Sequence, residues 1–274
     1  MNTIFDNKQL QEKIHDVAEL ADYLWQKGWA ERNAGNISIN LCDILKDVTV
    51  TDLEKYPEFK LKKALPGLKG GFFFVTGTGK RMRDLARNPL LNACVIRISD
   101  KGDSYRIISQ NDINFYELRP TSELPTHLGI HEQMVKNGSK NRVIVHTHPN
   151  ELIALSHSPM YKSEDVLNRI LWGMHPESVI VVPRGVGMVP YEIPGTTDIA
   201  ELTIKALADH DVLIWEKHGC LAVGEELFDT FDLIDTLSKS AQIFIYAKSA
   251  GFEPEGLTEN QLLDLKKAFH VGGY

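Results

Sequence analysis

Apolar residues along this chain fall into two patterns, one with helical spacing and one of short alternating or continuous runs typical of strands. Residues 8–28 place Leu, Ile and Val three or four positions apart, and Gly28 follows as a helix stop. The same spacing predicts further helices over 81–87, 125–135, 150–155, 164–171, 199–208, 227–250 and 258–269. Short apolar runs predict strands over 37–41, 72–75, 95–98, 105–108, 142–148, 179–182 and 212–215. Helices interleaved with strands in this way indicate an α/β fold with a sheet covered by helices.

One segment interrupts the regular pattern. Residues 42–70 are poorly periodic, rich in Lys, and contain Pro57 and Pro66, so we expect an irregular insertion. No internal repeat, low-complexity tract or linker divides the chain. The simplest prediction is therefore a single domain over residues 1–274.

Composition narrows the class of protein and its partners. Apolar residues make up 43% and charged residues 24%, as in an ordinary soluble protein. The net charge of −7 argues against a nucleic-acid partner, and the longest apolar runs are too short to cross a membrane. Three cysteines without Cys-x-x-Cys spacing, and an N-terminus without a secretory signal pattern, lead us to expect a cytoplasmic protein.

His146 and His148 end the strand predicted over 142–148. Side chains two positions apart on a strand point to the same side, so the backbone places these two imidazoles next to each other. Neutral imidazole is a common ligand of divalent transition metals. An isolated His-x-His is as readily a pair of strand-end histidines, and the pair alone leaves both interpretations open.

His218 makes the metal interpretation stronger. It follows the strand predicted over 212–215 and precedes Gly219. A third imidazole at a strand end would complete the three-histidine set, with an open position, that is typical of catalytic zinc sites. Taken alone, His218 is more readily a turn residue.

Glu123 supplies an acid just before the helix predicted from Pro125. From its position alone, a role as a helix-capping acid is favoured over a role as general base or metal ligand. His127 and His131 are four residues apart on this helix, but no Glu follows His127, so the zinc-protease His-Glu-x-x-His motif is absent. We interpret His127 as a supporting residue behind the site and His131 as a helix-surface residue.

Two Gly-containing loops are candidates for binding phosphate. Thr76-Gly77-Thr78-Gly79-Lys80 joins a strand to a helix, where backbone N–H groups attract anions. It lacks the Gly and Ser/Thr positions of a nucleotide-binding P-loop. Asn33-Ala34-Gly35-Asn36 offers two amides around a flexible Gly. Each loop taken singly is more readily a plain turn.

Five motifs, in this order along the chain, resemble the class II aldolase/adducin family. They are Asn33-x-Gly35-Asn36, Thr76-Gly77-Thr78-Gly79-Lys80, Ser122-Glu123, His146-x-His148-Pro149 and His218-Gly219. The resemblance as a whole runs from about residue 20 to about residue 250. The resemblance implies a three-layer α/β/α fold around a mostly antiparallel sheet and a cyclic homotetramer. It also implies metal-dependent aldol cleavage of a sugar phosphate.

The resemblance further assigns roles to individual residues. It implies one Zn²⁺ per subunit on His146, His148 and His218, with Glu123 as catalytic base. It places Asn33, Gly35, Asn36, Thr78, Gly79 and Ser122 at phosphate and substrate positions. Thr78 stands where relatives can carry Ser. The resemblance also suggests that Glu177 is an acid that reaches the active site of a neighbouring subunit. The C-terminal Tyr274 could fold over an active site, as tail tyrosines do in related enzymes.

Other activities of the same family remain open at this point. A fuculose-phosphate aldolase, a ribulose-phosphate 4-epimerase or a sugar-phosphate dehydratase would use the same three histidines. A non-catalytic, adducin-like module would keep the fold without the chemistry. The presence of all three histidines together with Glu123 argues against that last alternative.

Overall fold

The architecture comes from a computed structural model, which describes residues 3–108 and 118–271 of the 274-residue chain. The strands within these ranges are β1 (Asn36–Asn40), β2 (Glu58–Lys60), β3 (Phe72–Thr76), β4 (Ala93–Ile98), β5 (Ser104–Ile108), β6 (Val143–Thr147), β7 (Val186–Val189), β8 (Val212–Trp215) and β9 (Gly219–Gly224). The helices are α1 (Lys8–Gln26), α2 (Met82–Arg87), α3 (Pro89–Asn92), α4 (Leu124–Lys136), α5 (Asn150–Ser156), α6 (Glu164–Met174), α7 (Pro176–Val181), α8 (Thr197–Ala206), α9 (Leu227–Ser249) and α10 (Glu259–Ala268). No helix in these ranges is long and apolar enough to span a membrane.

All nine strands belong to one sheet, in the order β2-β5-β4-β3-β1-β6-β9-β8-β7. Every neighbouring pair is antiparallel except β7 and β8. The expected mostly antiparallel sheet is thus confirmed. Strands β1 and β6 lie in the interior of the sheet, so residues at their ends are held by ladders on both sides.

Helices cover both faces of this sheet. On one face, Ile37 and Val145 pack with α1, α5 and α9 in a large apolar cluster. On the other face, Phe73 packs against α4, and Ile144 packs with residues of α4 and α8. Adjacent strand residues such as Ile144 and Val145 therefore bury opposite sides, because strand side chains alternate. The expected three-layer α/β/α arrangement is confirmed.

The prediction of a strand over 179–182 is wrong. Helix α7 (Pro176–Val181) occupies that segment, with Pro176 in its first turn. A short, buried Val/Ile run does not by itself distinguish a strand from a buried helical turn, and a proline at the first helical position favours the helix. The strand follows instead at β7, after Gly185, which has a φ of +69°.

Strand β9 (Gly219–Gly224) was not predicted from the sequence. Its residues are Gly-Cys-Leu-Ala-Val-Gly, and Gly and Ala have low strand propensity. Pairing with β6 and β8 on its two sides supplies the backbone hydrogen bonds that keep this segment extended.

The segment 42–70 is largely irregular, as expected. It contains 3₁₀ turns at Leu53–Lys55 and Pro66–Leu68, and one short strand, β2, that pairs with β5 at the edge of the sheet. The cysteines Cys42, Cys94 and Cys220 are all free.

Candidate metal centre and active site

His146 and His148 lie at the end of β6, between β1 and β9. His146 is opposite Asn36 on one side and Leu221 on the other. Thr147 points to the other face, where its hydroxyl donates to the Trp29 carbonyl over 2.8 Å. The two imidazole rings consequently share one side, with centroids 5.1 Å apart.

His218 reaches the same place from the turn between β8 and β9. Its ring centroid is 5.0 Å from that of His146 and 5.1 Å from that of His148. Gly219 is needed for this approach: a Cβ there would lie 2.7 Å from the Thr147 carbonyl oxygen and 2.8 Å from the His146 ring. A side chain at position 219 would therefore push the β6 and β9 ends apart.

The three histidines have the properties of a metal-ligand set. Their candidate ligand atoms all lie within 4.8 Å of one another. The His146 Nδ1–H donates to the Cys220 carbonyl over 2.9 Å, and His148 Nδ1 is 3.1 Å from Glu31 Oε1. These partners leave the Nε2 atom of each ring available, an arrangement typical of metal-binding histidines.

Burial favours the neutral ring form that a metal requires. Desolvation holds the pKa of His146 well below its usual range, and nearby His148 and His218 lower it further. Burial lowers the pKa of His218 to about 4. His218 Nδ1 is also a buried atom without a hydrogen-bond partner among the described residues. The donor set therefore fits a divalent metal.

Glu123 lies beside this cluster instead of capping a helix. It occupies the position just before α4, but its side chain makes no capping hydrogen bond. Its Oε2 accepts from Asn36 Nδ2 over 2.8 Å and is 3.9 Å from His146 Nε2. Burial raises the pKa of Glu123, whereas the Asn36 hydrogen bond and nearby His148 lower it. A buried carboxyl next to a metal-ligand set has the placement of an acid–base group.

His127 and His131 are both buried. The Nε2 atom of His127 contacts Asn36 Oδ1, and its Nδ1 atom is 2.7 Å from Ser38 Oγ. His127 therefore contacts Glu123 only indirectly, through Asn36. The prediction that His131 lies on the helix surface is wrong: it is 0% exposed and its Nε2 is 2.8 Å from Ser38 Oγ. Ser38 was missed because β1 alternates polar and apolar residues, Asn-Ile-Ser-Ile-Asn, and such a pattern predicts a solvent-facing polar side, whereas all five residues are buried.

The segments expected to bind phosphate converge near His146. A Cβ on Gly35, which has a φ of +78°, would lie 3.0 Å from the His146 carbonyl oxygen and 3.5 Å from the Met82 side chain. Thr76 accepts from Ile37 N through its hydroxyl and from Thr121 N through its carbonyl, at 3.1 and 2.8 Å. These contacts join the loops after β3 and before β1 to the segment that carries Ser122 and Glu123.

Exposure divides the expected phosphate residues into two groups. Those open to a ligand are Asn33, Thr78, Gly79 and Ser122, and Gly35 is half-buried. Asn36 differs, because it is buried and both ends of its amide already have partners, Glu123 and His127. The Asn36 amide is therefore directed at the Glu123 carboxylate and not at the protein surface.

Glu177 lies apart from this convergence. It is exposed in the first turn of α7, where its Oε2 is 2.8 Å from His175 Nδ1, and this hydrogen bond lowers the pKa of Glu177. It lines a cleft that also includes Trp29, whose carbonyl accepts from His148 N over 2.9 Å. Tyr274 lies outside the described residues.

Comparison with known proteins gives a consistent result. Residues 15–245 match the family described as Class II Aldolase and Adducin N-terminal domain. The chain is 45% identical over 273 residues to a rhamnulose-1-phosphate aldolase of Bacteroides thetaiotaomicron, covering 99% of both chains. It is 34% identical over 276 residues to a protein of the same name from Klebsiella pneumoniae subsp. pneumoniae, covering 99% of this chain and 96% of the relative.

Solved structures show the same similarity. The sugar-phosphate aldolase from Thermotoga maritima superposes with a TM-score of 0.75 at 29% identity, covering 90% of this chain and 100% of that one. An L-fuculose 1-phosphate aldolase superposes with a TM-score of 0.60 at 17% identity, covering 94% and 96% of the two chains. At that identity the second likeness shows the fold alone.

Proposed function

The chain belongs to the class II aldolase and adducin family, and from this premise we propose that it is a rhamnulose-1-phosphate aldolase. The reaction is reversible cleavage of L-rhamnulose 1-phosphate to dihydroxyacetone phosphate and L-lactaldehyde. The observation that carries the proposal is the cluster of His146, His148 and His218 with the buried Glu123 carboxyl beside it. The 45% identity to a curated relative of that name, over 99% of both chains, favours this substrate within the family.

The family is metal-dependent, and the three histidines could hold a metal. We propose Zn²⁺, one ion per subunit, because three neutral imidazoles with an open position are typical of catalytic zinc sites. When bound, the ion supplies positive charge that stabilises negative charge developing on a substrate oxygen.

Glu123 is proposed as the base that moves a proton at carbon. In the synthetic direction its carboxylate takes a proton from the hydroxymethyl carbon of dihydroxyacetone phosphate. In the cleavage direction a base removes the C4 hydroxyl proton and the C3–C4 bond breaks. By microscopic reversibility Glu123, protonated at that stage, then returns its proton to the carbon. Burial raises the pKa of Glu123 from the normal Glu range, which makes its carboxylate a stronger base than an exposed one.

Phosphate and substrate binding is proposed for Asn33, Gly35, Thr78, Gly79 and Ser122. Asn36, whose amide is already bonded to Glu123 and His127, is proposed to act on the substrate through Glu123. The exposure of Asn33, Thr78, Gly79 and Ser122 and the positive φ of Gly35 and Gly79 support the binding role. Loops with such backbone conformations present N–H groups that bind anions. Thr78 N already donates to the Arg119 carbonyl over 2.8 Å, so Thr78 would contribute its hydroxyl.

We further propose a homotetramer in which Glu177 reaches a neighbouring subunit's site. The exposure of Glu177 and its place in a cleft with Trp29 support a role in contacts between subunits. The free thiols of Cys42, Cys94 and Cys220 support residence in the reducing cytoplasm.

The decisive experiment is an assay of dihydroxyacetone phosphate release from L-rhamnulose 1-phosphate by the zinc-loaded protein. We expect release with this substrate at a kcat/KM well above that for L-fuculose 1-phosphate. Incubation with L-ribulose 5-phosphate, followed for its C4 epimer, tests the epimerase alternative. Absence of release from both 1-phosphates would overturn the aldolase assignment, and absence of bound metal as well would indicate an adducin-like module.

A further inference from the structure

A row of buried polar residues runs from Glu123 into the interior of the protein. Asn36 and Ser38 point to the same side of β1 because they are two positions apart. His127 and His131 lie on one side of α4, four positions apart. Two strand residues advance about 6.6 Å and four helix residues about 6 Å, so the two pairs can meet in register. Their exposures are 6% for Asn36 and 0% for the other three.

Hydrogen bonds join these residues into one chain. Asn36 Nδ2 donates to Glu123 Oε2 over 2.8 Å, and Asn36 Oδ1 contacts His127 Nε2. On the other side of the ring, His127 Nδ1 is 2.7 Å from Ser38 Oγ. Ser38 Oγ is in turn 2.8 Å from His131 Nε2.

A carboxylate at Glu123 sets the direction of every bond in this chain. A carboxylate only accepts, so Asn36 must present its NH₂ group to it and its carbonyl oxygen to His127. That oxygen requires a proton on His127 Nε2. Burial lowers the pKa of His127 to about 3, so the ring is neutral and its Nδ1 accepts. The Ser38 hydroxyl then donates to His127 and accepts from His131 Nε2–H.

The orientation of Asn36 depends on both of its ends. The oxygen and nitrogen of a side-chain amide have nearly the same shape, so packing alone does not select between its two orientations. The reversed orientation would place the amide oxygen against the Glu123 carboxylate, which is electrostatically unfavourable. A proton held on His127 Nε2 selects the orientation in which Asn36 donates to Glu123.

We propose that His127, Ser38 and His131 are positioning residues that lock Asn36, and through it Glu123, in the orientation needed for proton transfer. This inference rests on the proposed function of Glu123 as the base. The chain ends at His131 Nδ1, which is buried and has no hydrogen-bond partner among the described residues. The direct contacts among the described residues join Glu123 to buried side chains, so the contribution that these contacts support is orientation.

A pair of substitutions at one position tests the contact between His127 and Asn36. His127→Gln places a donor N–H near the position of Nε2, whereas His127→Asn is too short to reach Asn36 Oδ1. Outer-shell partners of metal ligands typically contribute about 10- to 100-fold to metal affinity or activity, and we take the same scale for this partner of the proposed base. We expect a loss of that size in kcat for His127→Asn, little change in KM, and recovery of most of the loss in His127→Gln.

Thr126→Val is the matched control on the same helix. Thr126 is also 0% exposed, but its hydroxyl has no hydrogen-bond partner among the residues described. We expect wild-type kcat for this variant. Equal kcat losses in all three variants, or losses that follow the melting temperature, would show that the polar row only stabilises the fold.

The position of the His127 proton gives a readout that does not depend on activity. In ¹⁵N-histidine NMR spectra of the metal-free protein we expect the proton on Nε2, with Nδ1 unprotonated. Ser38→Ala removes one of the two contacts that favour this tautomer and leaves the Asn36 contact in place, so we expect it to lower the fraction of His127 with the proton on Nε2 without abolishing the preference. A proton on Nδ1 in the wild type would overturn the proposed direction of the chain.

These readouts separate failure of this inference from failure of the proposed function. If the wild type releases no dihydroxyacetone phosphate, the proposed function fails, while the NMR result still decides the direction of the hydrogen bonds. If the wild type is active and His127→Asn retains its kcat, the positioning role is wrong and the aldolase proposal stands.

Discussion

At the scale of single residues, the side chain of Glu123 shows how one position can be compatible with two roles. A carboxylate before a helix is ordinarily stabilised by the first N–H groups of that helix. Here the carboxylate makes no capping bond to α4. It accepts a hydrogen bond from Asn36 and lies 3.9 Å from His146 Nε2. Burial raises the pKa of Glu123, and perturbed pKa values are common among residues that take part in chemistry.

Glu123→Gln tests this role directly. The amide is nearly the same size and its oxygen can still accept from Asn36, but it cannot take a proton. We expect a loss in kcat of about 10²-fold or more, as for removal of a general base, with little change in the melting temperature.

Glu132→Gln is the control for that substitution. Glu132 lies on the same helix and is also 7% exposed, but it contacts Gly67 N and Lys136 instead of the histidines. We expect its kcat to remain that of the wild type. If Glu123→Gln instead keeps normal turnover and its melting temperature falls sharply, the role of Glu123 is structural.

His148→Ala tests the metal centre. Loss of an outer-shell partner of a metal ligand typically lowers metal affinity by roughly 10- to 100-fold. Because His148→Ala removes a ligand itself, we expect a loss at least that large. Metal analysis after dialysis, alongside exposed His157→Ala as control, measures the effect. Full metal content in His148→Ala would place the ion elsewhere.

At the scale of secondary-structure elements, the site depends on how three strand ends meet. Histidines from β6 and from the β8–β9 turn approach one another because β9 pairs with both β6 and β8. Gly219 begins β9 at the point where a Cβ would contact Thr147, His146 and His148. The absence of a side chain there is thus part of the metal centre.

Gly219→Ala is expected to disturb both the fold and the metal site. Overpacking of this kind typically costs about 1–3 kcal/mol, and here the displaced groups are the ligand histidines. We expect a lower melting temperature together with reduced metal content.

Gly173→Ala provides the comparison. Gly173 lies in α6, where a Cβ would make ordinary contacts at 3.6 Å. Helix propensity alone favours Ala there by up to about 1 kcal/mol, so metal content should be unchanged and stability equal or higher. Normal metal content in Gly219→Ala would show that the ends of β6 and β9 can move apart while the histidines still bind the metal.

At the scale of the whole molecule, the proposed homotetramer brings Glu177 of one subunit to the site of a neighbour. The proposed tetramer should have a solution mass of four times 30.9 kDa by light scattering. If Glu177 acts in a neighbouring subunit's site, each active site contains groups from two chains.

Mixing of inactive variants tests the shared site. Glu123→Gln chains carry an intact Glu177, and Glu177→Gln chains carry an intact Glu123. Refolded or co-expressed mixtures should recover activity above that of either variant alone, because some sites then combine two intact residues. Absence of recovery, with confirmed mixed tetramers, would confine Glu177 to its own subunit or remove it from the site.

The sequence by itself was sufficient to predict most elements and to single out the candidate site residues. Regular apolar spacing located α1, α4 and α9, and alternation located β1, because these patterns are local and strong. It also singled out His146, His148, His218 and Glu123 as candidates. Segments with weak local preference failed: α7 has a Val/Ile run suited to either state, and β9 is extended only because neighbouring strands pair with it.

Only the tertiary structure decided how the candidate residues combine. Residues distant along the chain, such as Asn36 and Glu123 or His146 and His218, approach through strand pairing and helix packing that no local pattern encodes. The same is true of His131, which the spacing on α4 placed at the surface and packing against Ser38 buries. Local sequence specifies which face of an element is apolar, but the position of a polar side chain depends on what the opposite element supplies, and that is set by the fold as a whole.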